Sequence, residues 1–224
     1  MSAEPIPEFI IIGAGGHGRE LLEIVERSGW GSQCLGFADD APSPVNQSKL
    51  EHLGYPLLGS VEWAAQSDLQ CLLGIGDSAT RRRLISQLGG AHRARTLIDP
   101  SAWISPSAQL GAGVVCCQNV VVTTSATIGE NSLLNVGVTV QHDTVIGADC
   151  TLSPGVFVNG DVQIGSGVFV GTGAIIARGV SVADGAIIGA GATVLSDVSE
   201  NSFVAGTPAR AISRGDQIRD QAQQ

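Results

Sequence analysis

The chain has 224 residues, with 12 Lys and Arg against 21 Asp and Glu, a formal charge of −9. That acidity excludes a broad nucleic-acid footprint or an anionic-membrane surface, because both need clustered positive charge to meet phosphates. Apolar residues reach 43%, charged residues 15%, aromatics only 4%, and glycines number 30, which excludes disorder and points to narrow, regular layers of Val, Ile, Ala and Gly.

Met1 to Glu8 carries two prolines and two acids, unlike the basic-then-apolar start of a secretory leader. Glu8–Ile12 predicts a short strand, Gly13-Ala14-Gly15-Gly16-His17-Gly18 a glycine turn, and Arg19–Arg27 a helix with apolar residues at Leu21, Leu22 and Val25. Such glycines let the backbone approach a phosphate, and a helix N-terminus adds unpaired amides and a positive dipole end. A second strand, Cys34–Ala38, ends in Asp39-Asp40, where acids commonly bind a ribose or sugar hydroxyl. There follow a helix Val61–Ala65, a strand Cys71–Ile75 ending in Gly76-Asp77-Ser78, a helix Ala79–Leu88 and a strand Arg95–Ile98. A dinucleotide crevice needs two such halves and only one fits here, so the expectation is a small Rossmann-like, single-nucleotide unit over residues 8–99.

From Ile104 to Val194, every sixth residue is apolar, sixteen positions without an insertion. A second, mostly small series stands four residues after each anchor, as at Val138, Val156 and Ala174, and glycine often follows the anchor directly, as at Gly111, Gly129, Gly147, Gly165, Gly171 and Gly189. A six-residue period describes short flat strands with tight corners, the small residues permitting sharp turning, and three hexads make one triangular coil whose stability is shared along the stack. Sixteen hexads make about five coils, a prism roughly 25 Å tall at ~4.8 Å per coil. The prism is expected over residues 100–213, with a frayed polar tail at 214–224.

These repeats resemble the hexapeptide transferase family, and the resemblance implies a left-handed parallel β-helix, a homotrimer, and acyl-CoA bound between neighbouring prisms. The whole pattern, with Gly13 to Gly18, Phe37-Ala38-Asp39-Asp40, Gly74-Ile75-Gly76-Asp77, Asn135, His142-Asp143, Ser153-Pro154-Gly155 and Gly206-Thr207-Pro208-Ala209-Arg210, is similar to the sialic-acid O-acetyltransferase-like and nucleotide-amino-sugar N-acetyltransferase group. The fold class that follows is α/β plus β. The resemblance implies that a nucleotide-sugar is held in the front unit by Gly13, Gly15, His17, Gly18, Asp39, Asp40, Gly76 and Asp77. It implies acetyl-CoA as co-substrate on the prism, near Thr151, Gly155, Gly160, Thr172, Gly173 and Ala190, with Arg210 for a CoA phosphate.

Acyl transfer from a thioester needs a base, and histidine suits neutral pH. Only His142 of the four histidines lies in the repeats. The resemblance gives it the general-base role, with Asp143 orienting it and Asn135 near the acyl or sugar site. Relatives often carry a second histidine nine residues after the base, where this chain has Thr151. No metal is expected, since a prism-type zinc site would need three histidines. The five cysteines lack paired spacing, which favours a reducing cytoplasm. The expectation is N-acetylation of a nucleotide-activated amino sugar; a sugar O-acetyltransferase and a non-catalytic, nucleotide-sensing prism are the alternatives.

Overall fold

The computed structural model describes residues 6–89 and 95–212. The first unit runs β1 (Phe9–Ile12), α1 (Gly16–Arg27), β2 (Cys34–Ala38), α2 (Pro44–Leu53), β3 (Leu57–Gly59), α3 (Val61–Ala65), β4 (Gln70–Leu73) and α4 (Ser78–Leu88). Its four strands pair in parallel in the order β3-β2-β1-β4. All four residues of β1 are buried, as a central parallel strand requires. Phe9 and Ile11 pack with Leu21, Leu22 and Val25 of α1 and Leu50 of α2, whereas Ile10 and Ile12 pack with Val61 of α3 and Leu84 and Leu88 of α4. Helices thus cover both faces, the Rossmann-like arrangement the sequence predicts.

Three local expectations shift. Helix α1 starts at Gly16, with Gly15 in extended backbone as its cap, so half of the glycine run is helical. Helix α2 and strand β3 have no counterpart in the sequence reading. Leu50 alone is buried on α2, so no apolar stripe announces it; its ends are marked by the Ser43 cap, Pro44 at the first turn and left-handed Gly54. The strand expected at Arg95–Ile98 is confined to Leu97–Ile98 and pairs with Val115–Cys116. It is therefore the first rung of the prism and not part of the front sheet.

From there, two-residue strands recur every six residues and stack at an 18-residue offset, as in Leu133↔Thr151, Thr139↔Phe157 and Val145↔Gln163. They form three parallel sheets, the faces of a left-handed β-helix. The anchors fill its core, and so does the small series: Val138, Val156 and Ala174 are fully buried. The small residues are interior packing, and the turning is done elsewhere, at the third residue after the anchor. That position is left-handed at Asn119, Asn131, Asp143, Asp149 and Asp161, with glycine at 137, 155, 173 and 191, the residue types that tolerate positive φ. Glycines directly after anchors serve stacking: a Cβ on Gly147 would stand 2.6 Å from the carbonyl carbon of Gly165 in the next coil.

One face of the prism carries the front unit. Leu97, Val115, Cys117 and Leu133 share a hydrophobic cluster with α1, and Arg27 pairs with the fully buried Asp99 at 3.1 Å. Among the described residues, no helix is long and apolar enough to cross a membrane.

Candidate active site

The glycine run divides by function. Gly13 has a left-handed φ of 101°, and Gly18 and Gly74 lie so close that a Cβ on either would enter the backbone of the other glycines of this knot. These are packing glycines. A Cβ on Gly15, Gly16 or Gly76 would meet nothing within 4 Å, and none of the three has a left-handed φ. Neither packing nor backbone conformation explains them, and together they leave an open cradle at the N-terminus of α1 and beyond β4. Asp39 holds this loop, accepting from the Ala14 amide at 2.7 Å and the Ala41 amide at 2.9 Å. Asp40 accepts from the Val61 amide at 2.8 Å, and Asp77 caps α4. Arg19, which sequence reasoning passed over, donates to the Ala14 carbonyl and to Asn46 Oδ1, both at 2.9 Å.

His17 borders the domain junction. Its Nδ1 lies 3.1 Å from Glu20, and its Nε2 is buried without a partner in a small cavity at the domain junction, lined also by Ile75, Arg81, Arg95, Asn131 and Ser132. Burial lowers the His17 pKa, against the opposing pull of Glu20. Arg81, buried here, donates to the carbonyls of Ile75 (3.1 Å) and Gly76 (2.8 Å) in the front unit and of Cys150 (2.9 Å) in the prism. Thr151 Oγ1 donates to the same Gly76 carbonyl at 3.0 Å. The Thr151 hydroxyl is thus committed to the junction, away from any open prism edge.

The remaining residues fall on two edges of the prism face built by Trp103–Ile104, Val121–Val122, Thr139–Val140, Phe157–Val158, Ile175–Ile176 and Thr193–Val194. Beyond the C-terminal ends of these strands stand His142, Asp143, Gly160 and Asp161. His142 Nδ1 is 2.8 Å from Asp143 Oδ2, and Arg178 Nε donates to Asp161 Oδ2 at 2.8 Å. His142, Asp143 and Asp161 bring ligand atoms within 4.8 Å of one another, but these carboxylates are already committed, one to the imidazole and one to a guanidinium. The opposite edge holds Asn135, Gly155, Thr172, Gly173 and Ala190, stacked by the 18-residue register. Gly155 and Gly173 have open space where a Cβ would stand. Arg210 is exposed on the terminal strand Arg210–Ala211, donating to the Ala209 carbonyl at 2.8 Å.

The structure therefore brings Gly160 to the histidine and leaves it apart from the other residues expected at the acyl-CoA. It also sets Asn135 and His142 on opposite edges of one face. That follows from chain order: one strand and half a corner on each side separate them.

Residues 8–88 match the PglD N-terminal domain, and residues 125–160 and 161–196 each match the six-repeat bacterial transferase hexapeptide. The front unit is thus similar to the one family model and much of the prism to the other. Among relatives of this chain, UDP-N-acetylbacillosamine N-acetyltransferase of Bacillus subtilis (strain 168) is 31% identical over 106 residues, 47% of this chain and 49% of that protein. The match spans about half of that relative's length. Two solved structures match almost throughout. The acetyltransferase domain of PglB from Neisseria gonorrhoeae FA1090, in complex with acetyl coenzyme A, is 29% identical with a TM-score of 0.84, covering 93% of this chain and 100% of that one. PerB from Caulobacter crescentus, in complex with CoA and GDP-perosamine, is 29% identical with a TM-score of 0.83, covering 93% and 99%.

Proposed function

We propose that this chain is an acetyl-CoA-dependent acetyltransferase acting on the amino group of a nucleotide-activated amino sugar. One observation carries the reading: the single histidine of the repeats stands half-exposed on an open prism edge with Nδ1 against Asp143. A carboxylate on Nδ1 fixes the tautomer with its proton there, leaving the Nε2 lone pair as acceptor. In the reaction the sugar amine attacks the thioester carbonyl, its proton passes to Nε2 of His142, the new N–C bond forms, and the C–S bond breaks to release CoA thiolate, which takes a proton back. Asp143 stabilises the transient imidazolium, and no covalent enzyme intermediate is required. The front unit, which ends before the prism's first rung at Leu97, takes the nucleotide-sugar, its phosphates in the cradle of Gly15, Gly16 and Gly76; the prism takes the acyl-CoA along the edge of Gly155, Thr172, Gly173 and Ala190. The tail at 214–224 lies outside the described residues, as does most of Arg210's downstream sequence.

The two-edge geometry supports a homotrimer, in which the CoA edge of one prism faces the His142 edge of the next. Four of the six outward residues of the face between those edges are apolar, Trp103, Val121, Phe157 and Ile175, beside Thr139 and Thr193, and Trp103, Phe157 and Ile175 are exposed. The third face presents Gln109, Thr127, Gln163 and Ser181, with Val145 its one apolar outward residue. A free apolar face of that kind marks a contact surface. Five buried cysteines fit a cytoplasmic setting.

The test is thiol release from acetyl-CoA with UDP-, GDP- and dTDP-linked amino sugars, with product analysis for the acetylated atom. Release with one nucleotide-amino sugar and an amide product supports the reading. An ester product transfers it to a hydroxyl acceptor, and no release with any of them overturns it.

A further inference from the structure

We infer that Gly160 is a positioning residue for His142: it is glycine so that the imidazole can lie against the coil below, with Nδ1 held on Asp143. The inference rests on the proposal that His142 is the base. The three heavy atoms nearest to a Cβ built on Gly160 are all in the His142 ring: Cε1 and Nε2 at 2.5 Å and Nδ1 at 3.0 Å. Cβ atoms do not approach so closely, so a methyl group there displaces the ring. No other cause for glycine is present, because Gly160 has no left-handed φ and its Cβ meets no backbone so closely.

Comparison along the prism isolates the feature. Gly160 occupies the second position after its anchor, Val158. The sixteen residues at that position include Pro106, Ala112, Gln118, Thr124, Val136, Thr172 and Arg178, and Gly160 alone is glycine. It also lies in the coil directly beneath His142, through the register Thr139↔Phe157 and Val140↔Val158. The floor around it is fixed: the Asp161 amide donates to the His142 carbonyl at 3.0 Å, and Arg178 holds the Asp161 carboxylate at 2.8 Å. With the floor unable to give, the half-exposed ring yields to a new methyl group, turns outward, and parts from Asp143.

Gly160→Ala is therefore expected to lower kcat by roughly 10–100-fold, the cost of misplacing a base by about 1 Å, with both KM values within about twofold. In the His142→Ala background the same substitution is expected to change residual kcat and Tm hardly at all, since no ring remains to displace. The 15N imidazole signals of His142, assigned by their loss in His142→Ala, report the ring directly and are expected to move in Gly160→Ala. Unmoved ring signals, turnover within about twofold of wild type, additive losses in the double variant, or a Gly160→Ala defect in folding that persists without the ring would each overturn the inference. Full turnover of His142→Ala would instead overturn the base assignment, while the ring signals still judge Gly160.

Discussion

Arg81→Ala measures how firmly the prism holds the glycine cradle. The guanidinium is buried, burial lowers its pKa while Asp149 and Asp77 oppose that shift, and it makes three hydrogen bonds to carbonyls, two in the front unit and one in the prism. The losses are unequal. The Gly76 carbonyl keeps the Thr151 hydroxyl and the Cys150 carbonyl keeps the Leu133 amide, so the bond to Ile75 and the charge itself carry most of the effect. Hydrogen bonds to charged groups contribute about 1.5–3 kcal/mol each, and relief of a buried guanidinium's desolvation offsets part of their sum. The net destabilisation is about 2–4 kcal/mol. At about 2–4 °C per kcal/mol for a chain of this length, Tm should fall by roughly 4–16 °C. Calorimetry of wild type, Arg81→Ala and Arg81→Lys is the assay. A Tm loss under about 2 °C for Arg81→Ala, or full retention by Arg81→Lys, whose single ammonium cannot span both units, would refute the reasoning.

Gly15→Ala should leave Tm unchanged and raise the nucleotide-sugar KM about tenfold or more without altering acetyl-CoA KM, whereas Gly18→Ala, which drives a methyl group into the Gly13 carbonyl, should cost stability first; steady-state kinetics beside thermal melts separate the two. His17, held neutral by burial, should make the chain less stable in acid: above the unfolded value near 6.5 both states are neutral, and as pH falls from there the unfolded chain takes the proton first, so stability drops until the folded pKa is passed. Tm followed over that range should fall less steeply in His17→Gln. The thiols of Cys116 and Cys117, pushed up to about 12 by burial, should resist iodoacetamide at neutral pH and react on unfolding; labelling in the folded protein, read by mass spectrometry, would contradict the packed interior.

The prism was legible because its rule is local. Each anchor from Ile104 to Val194 repeats at six, and a single step out of register would turn a core residue toward solvent. The corner rule was equally present, in Asn119, Asn131, Asp143 and Asp161, but those residues read as polar surface until their left-handed backbone gives the reason for them. Helix α2 hid because Leu50 alone is buried. The domain junction was illegible for another reason: Arg81 sits in an Arg81-Arg82-Arg83 run that looks like a solvated face, and its partner Cys150 lies 69 residues away. Gly160 was visible as a glycine, but its purpose depends on the His142 ring one coil above, a contact that only the stacked register creates.

The central claim is that His142 takes the proton from a sugar amine as it attacks acetyl-CoA. The most direct measurement is a single-turnover comparison of wild type and His142→Ala, preformed with the accepted nucleotide-amino sugar and mixed with acetyl-CoA across pH 6 to 9. The account predicts a rate lower by about 10²–10⁴ in the variant at every pH, with unchanged binding of both substrates. A variant that acetylates the sugar at the wild-type rate with the same pH dependence would contradict it.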